Sequence, residues 1–180
     1  MGDGWRLTPF RPWHALTMAR WVQTEQQLQW LAPSTRPPLT AEKILAWKKS
    51  GGSEFVLVNG VDGSPLGYGE INPMGGGGGD VWLGHVIVRP DRRGRGMGTF
   101  LLRSLLAESF ERRNATRVAL IVFPDNLAAL RCYRRVGFRL AGEEFHRFGG
   151  GGPAQRLLRL EITRPARQSA CVPLPAQGID

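Results

Sequence analysis

The densest chemistry in the sequence lies at Arg93-Gly94-Arg95-Gly96-Met97-Gly98-Thr99. Glycines 94, 96 and 98 allow the backbone to come close to a ligand and to take positive φ where a turn demands it. An amphipathic segment comes next, with Leu101, Leu102, Leu105, Leu106, Ser109 and Phe110 at helical spacing. The loop amides therefore point toward the start of a helix, where unpaired N–H groups and the helix dipole favour an anion. Arg93 and Arg95 add positive charge at the same place. Residue types and their order together describe a pyrophosphate cradle.

Two better-known phosphate loops fail on spacing. A P-loop needs Gly-x4-Gly-Lys-Ser/Thr, and here Thr99 follows Gly98 with no lysine between. A dinucleotide fingerprint needs Gly-x-Gly-x-x-Gly directly after the first strand of a βαβ unit. This loop reads Gly-x-Gly-x-Gly, follows several earlier strands, and is separated from the nearest one by residues 90–93. Global charge adds less. The 24 Lys+Arg against 15 Asp+Glu give +9, and all but three of the basic residues are arginine. That balance suits an anionic partner: nucleic acid, an acidic protein or a phosphate-bearing cofactor. The arginines are scattered, but Arg89, Arg92, Arg93 and Arg95 gather at the loop.

The elements that must hold this loop are legible from pattern. The 180 residues, 42% hydrophobic and 22% charged, fit one domain over 1–163 and a proline-containing tail over 164–180 that reads as disordered. No stretch reaches the roughly 18 apolar residues of a membrane span. The N-terminus lacks a basic-then-apolar leader, and Cys132 and Cys171 lack metal-ligand spacing. A cytoplasmic protein without metal or membrane contact is expected. A short strand at 5–7 precedes one broken helix or two short ones over 12–31, which prolines 33, 37 and 38 terminate. Thr40 caps a short helix carrying Ile44, Leu45 and Trp47. Strands at 54–58 and 65–71 form a hairpin, and the glycine tract 75–79 is a flexible link to 81–88. That strand is apolar on both faces, as a central strand is. A buried strand at 118–123, a helix from Asn126 to a Gly137 stop, and strands from 138 and over 156–162 complete a mixed α/β domain. A second glycine tract, 149–152, joins the last two.

At Arg93-x-x-Gly96-x-Gly98 the chain resembles the GNAT superfamily of N-acetyltransferases, whose signature is Gln/Arg-x-x-Gly-x-Gly/Ala between the fourth strand and a long helix. Asn126 stands 28 residues after Gly98, and Tyr133-Arg-Arg-Val-Gly-Phe138 resembles the family's Tyr-x-x-x-Gly-Phe helix end. The resemblance covers 54–162 well and the N-terminal helices loosely. It implies a central, mostly antiparallel, twisted sheet of six or seven strands flanked by helices. It also implies acetyl-CoA as co-substrate, no metal, and direct attack by a primary amine of a small molecule, a protein N-terminus or a lysine. In that reading the backbone of Val86, Ile87 and Val88 pairs with the pantetheine amides like an added strand. Arg93, Gly94, Arg95, Gly96, Met97, Gly98 and Thr99 hold the pyrophosphate, and Asn126 contacts the cofactor besides capping its helix. Tyr133 is the general acid for the leaving thiolate, since a phenol of pKa about 10 is close to an alkyl thiol.

The general base is less well marked. Many relatives that acetylate protein N-termini carry a Glu on the strand before the Asn, where this chain has Ile121. Glu70 and His85, on the strands flanking the glycine tract, are the remaining candidates. Glu70 is preferred, because the run Gly67-Tyr-Gly-Glu-Ile71 leaves room around it. An unperturbed imidazole titrates at about 6.5, which suits a base, but His85 alternates with Val81, Leu83 and Ile87 and fits a packed histidine as well. Trp13, Trp21, Trp30, Trp47, Tyr68 and Trp82 are either core or an aromatic wall for an amine. The basic charge disfavours a polycationic acceptor unless Glu25, Glu42 or Glu70 lines the mouth. Two other readings stand beside this one: a basic nucleic-acid-binding module, and a GNAT-like regulator that binds acyl-CoA without catalysis. Nucleic acid is not the expected partner, and a homodimer is left open.

Overall fold

The computed structural model describes residues 4–75, 79–149 and 152–164. Apolar alternation along the strands builds one seven-stranded sheet in the order β1-β2-β3-β4-β5-β7-β6. Its members are β1 (Trp5–Pro9), β2 (Ser53–Asn59), β3 (Pro65–Pro73), β4 (Val81–Val88), β5 (Arg117–Val122), β6 (Arg139–His146) and β7 (Gln155–Thr163). All neighbours run antiparallel except β4 and β5. The mixed fold read from the sequence is thus present. The glycines 76–78, 150 and 151 and the tail from 165 lie outside the described residues, so the flexible-link and tail expectations fall there.

Each face of the sheet carries its own core. On β2, Phe55 and Leu57 turn toward one side, Val56 and Val58 toward the other, as strand alternation requires. The first side is covered by α4 (Met97–Ala107) and α5 (Leu127–Val136), whose Leu101, Leu102, Leu105 and Leu130 are buried. Gly67 and Gly69 belong to this contact. A Cβ on them would come within 3.0 and 2.7 Å of the Leu101 and Leu105 side chains, so the glycines let α4 lie close on β3. The space they open is therefore filled by α4 and is not room around Glu70.

The second side is covered by α1 (His14–Met18), α2 (Glu25–Leu31) and α3 (Ala41–Leu45). Segment 12–31 resolves into two short helices because Thr24 caps the second, its hydroxyl accepting from the Gln27 amide at 3.2 Å. Thr40 caps α3 in the same way through the Lys43 amide. Trp21 and Trp47 are core, whereas Trp13 is 64% exposed. Asn126 and Gly137 play their expected parts on α5: the Asn126 side chain accepts from the Ala129 amide, and Gly137 closes the helix at φ +113°.

Two irregularities in β4 depart from a regular ladder. Opposite β3 the pairing jumps from Tyr68↔Ile87 to Glu70↔Gly84, so His85 and Val86 together face Gly69 in a bulge, with His85 at φ +45°. Toward β5 the pairing is confined to Val81↔Val118 and Trp82↔Ala119, and beyond it the two strands diverge.

Candidate active site

The divergence of β4 from β5 opens a cleft of about 1280 Å³ through the middle of the molecule. Leu83 to Val88 line one wall, Ala119 to Phe123 the other. Past Trp82 the β5-facing edge of β4 has no strand partner, so its backbone is available to an extended ligand. The vertex of the V is clamped by Arg117, whose Nε and NH2 donate to Asp80 at 2.9 and 2.6 Å, while the Thr116 hydroxyl donates to the same carboxylate.

At one end of the cleft stands the glycine loop. Gly94 and Gly96 have φ of +73° and +81°, a left-handed region that side chains avoid. Gly96 is the N-cap of α4, and no side chain caps that helix. The first amides of an eleven-residue helix therefore open on the cleft as free donors. Gly98 lines the cleft and serves packing as well. A Cβ there would sit 3.2 Å from the Cys132 Sγ, tighter than an ordinary contact, so glycine eases the approach of α4 to α5. Arg93, expected to add charge to the cradle, lines the cleft with its guanidinium already engaged by two carbonyls. Its Nε donates to the Val88 carbonyl and its NH2 to the Trp21 carbonyl, both at 2.9 Å, which ties the loop to β4 and to the segment after α1. Asn126, Thr99 and Met97's neighbours Gly96 and Gly98 line the same end, while Met97 itself is buried in the core. Arg95 is exposed and not on the wall.

Midway along the cleft the bulge decides which residue faces the solvent. It turns His85 away from Val81 and Leu83 and onto the face of Tyr68 and Glu70. The expected alternation of His85 with those valine and leucine side chains is broken for that reason. His85 lines the cleft, stacked on Trp47 at 4.2 Å and 7°. Its Nδ1 lies 2.7 Å from Glu70 Oε1. Glu70, only 1% exposed, sits behind it and is not on the cleft wall. An ionised carboxylate accepts only, so it takes Nδ1–H and leaves the Nε2 lone pair free. Tyr68 donates to the same Glu70 oxygen at 2.9 Å and Asn72 Nδ2 to the other at 3.2 Å. Burial pushes the Glu70 carboxyl up, but the hydrogen bond and charge of His85, with the bonds from Tyr68 and Asn72, outweigh it and hold the group below its usual range. The Tyr68 hydroxyl also stands 3.1 Å from Glu54 Oε1, and there burial wins, raising that carboxyl.

Tyr133 lines the cleft from α5, its ring edge against Phe138 at 5.9 Å. Burial first, then the neighbouring Cys132, pushes its phenol up, so it keeps its proton at neutral pH. The far wall holds a group that spacing did not reveal: Glu144, His146, Phe148 and Arg159 from β6, β7 and the segment between them. Trp30, Trp47, Trp82 and Lys49 face the same space, with the Lys49 ammonium 4.4 Å from the Trp82 ring centre. The bulge itself had a sequence signal, the lone Gly84 inside an apolar strand. A Cβ there would meet Glu70 Oε2 at 3.0 Å and the Trp82 ring at 3.1 Å. Among the described residues no group of three or more His, Cys, Asp or Glu is placed to hold a metal, and no helix is long and apolar enough to cross a membrane.

Comparison with known proteins points to one family. Residues 17–138 match the acetyltransferase (GNAT) family. The chain belongs to the GNAT family. Among curated GNAT relatives, the spermine/spermidine N(1)-acetyltransferase of Bacillus subtilis is 34% identical over 65 residues, 36% of this chain and 43% of that protein. The chain thus matches less than half the length of that relative. The aminoglycoside N(6')-acetyltransferase type 1 of Klebsiella pneumoniae is 26% identical over 143 residues, 72% of this chain and 71% of its own length. Among solved GNAT structures, the spermidine N-acetyltransferase of Vibrio cholerae in complex with CoA and spermine superposes with a TM-score of 0.73 at 17% identity, over 90% of this chain and 96% of that one.

Proposed function

We propose that this GNAT protein transfers the acetyl group of acetyl-CoA to a primary amine by direct attack, with His85 as the base. The observation that carries the reading is the coincidence, in one cleft, of an unpartnered β4 edge, an uncapped helix start behind two left-handed glycines, and an imidazole oriented by a buried carboxylate. Each answers one requirement of the chemistry. The loop from Gly94 to Thr99 binds the pyrophosphate through backbone amides, and Asn126 flanks it. The open edge of Val86, Ile87 and Val88 takes the pantetheine arm by main-chain hydrogen bonds and orients the thioester carbonyl. When bound, acetyl-CoA supplies an acyl group already activated as a thioester.

The amine must attack in its neutral form. His85 Nε2 accepts its proton, while Glu70, fixed by Tyr68 and Asn72, holds Nδ1–H and stabilises the imidazolium that forms. A C–N bond forms, the C–S bond breaks, and Tyr133 returns a proton to the departing thiolate. Glu70 is then a positioning residue, and His85 takes the role first expected of Glu70. Ile121 supports this division of labour: it lines the β5 wall as an apolar side chain, so the base comes from β4 across the cleft. Use of a soluble thioester donor fits a protein that works in the cytoplasm.

Titration with acetyl-CoA, followed by thermal unfolding, tests the donor half. Ligand that binds only the folded chain raises Tm in proportion to the logarithm of its concentration. Gly96→Glu should lose that rise, because it puts a strained side chain and a negative charge beside the phosphate site. An equal rise in wild type and Gly96→Glu would refute the cradle.

A further inference from the structure

Charge on the cleft wall is lopsided. Lys49, Arg93, Arg131, Arg135 and Arg159 line it, against Glu144 alone among the acids; Arg159 is paired with Glu144 and Glu161 and Arg93 is held by two carbonyls, which leaves Lys49, Arg131 and Arg135 without an acid partner among the described residues. The Glu144 carboxylate is already engaged at both oxygens, Oε2 with His146 at 2.6 Å and Oε1 with Arg159 at 3.1 Å. Glu70 lies behind His85, and Glu25 and Glu42 do not reach the wall. Asp125, near the mouth, accepts from the Trp30 indole at 3.0 Å and is not on the wall either. Among the described residues no carboxylate on the wall itself is therefore free for a second ammonium on the acceptor. What the wall offers instead is aromatic surface, from Trp30, Trp47, Trp82 and Phe148, and the Lys49 ammonium lying over Trp82. Trp82 touches the position of Gly84, the residue before the proposed base, so Lys49 stands one indole away from it.

A polycation entering this space would bring each extra ammonium among like charges with nothing to neutralise it, a juxtaposition that excludes wrong partners more sharply than any single attraction selects the right one. A carboxylate gains where a polycation loses. Resting on the acetyl-transfer reading, we infer that the acceptor is a small molecule with one reacting amine, an aromatic or apolar body and a carboxylate, and that Lys49 is the residue that selects for the carboxylate. The acceptor class thereby differs from the polyamines and aminoglycosides named for the relatives above.

The test is the rate of CoA release by the full chain across a panel. Phenylalanine, 4-(aminomethyl)benzoate and 6-aminohexanoate present the carboxylate at graded distances from the amine; phenethylamine lacks it; spermidine and kanamycin are polycations. At least one carboxylated amine should exceed both polycations in kcat/KM by about tenfold or more. Lys49→Glu should lower kcat/KM for that amine by about tenfold, through KM with kcat little changed, leave phenethylamine within about twofold, and raise spermidine. Lys49→Met, which keeps the contact with Trp82 but not the charge, should fall between. Spermidine or kanamycin as the best wild-type substrate would overturn the proposal, and so would a Lys49→Glu variant with an unchanged carboxylate-to-spermidine ratio. If no amine released CoA, acetyl transfer itself would fall and the acceptor proposal with it.

Discussion

At the scale of single residues, the cleft gives different roles to two groups that look interchangeable in the sequence. Glu70 and His85 are both polar residues in apolar strands, and only the bulge shows that one faces the ligand and the other faces its partner. Replacing His85 by Gln should reduce kcat/KM by about 100-fold or more. Glu70→Gln should cost less, about tenfold, and through kcat with KM little changed, since the carboxylate that holds the ring by Nδ1–H is gone. An unchanged kcat in Glu70→Gln would reduce Glu70 to a packing role. Tyr133→Phe should lower kcat with little change in acetyl-CoA affinity, because a protonated phenol acts on the leaving group and not on binding. The glycine loop and the Tyr133-to-Phe138 helix end were legible because their spacing is sequential. The Glu54–Tyr68–Glu70–His85 line was not, because it is assembled across β2, β3 and β4 by register, and a one-residue bulge is what aligns it.

At the scale of elements, the site is the place where β4 and β5 stop pairing. Asp80 and Arg117 stand immediately before the paired residues Val81 and Val118 and act as the hinge pin of the V. The hydrogen bond from Thr116, then those from Arg117, hold the Asp80 carboxyl below its ordinary value of 3.8. A carboxyl with a depressed folded pKa contributes stability above the unfolded pKa and loses it as pH falls through the folded one. Asp80→Asn should accordingly lower Tm at neutral pH, and the gap to wild type should start to narrow as the pH drops below 3.8 and close below the folded pKa. A gap that persisted in acid would show that the pair does not stabilise the vertex by charge. Helix ends could be read directly, since Thr24, Thr40, Asn126 and Gly137 are local signals. The glycines of β3 could be seen but not interpreted: Gly67 and Gly69 accommodate Leu101 and Leu105, 34 and 36 residues downstream, and only packing reveals that partner.

At the scale of the whole molecule, the sheet separates two jobs. The face under α4 and α5 is a hydrocarbon core that fixes the loop end, with Gly98 against Cys132 setting how closely the two helices meet. The face under α1, α2 and α3 carries the buried polar line and the aromatic wall. Net charge, ambiguous when counted along the chain, acquires meaning once it is located: five basic side chains and a single acid, Glu144, line the cleft among the described residues. Acetyl transfer is tested most directly by amine-dependent release of CoA from acetyl-CoA by the wild-type chain, with the N-acetylated amine identified by mass. Release should saturate in both substrates, yield one acetylated amine per thiol, and be lost in His85→Gln while acetyl-CoA still raises Tm. Stabilisation by acetyl-CoA with no thiol released across the panel would contradict acetyl transfer, and would leave a protein that binds the donor without using it.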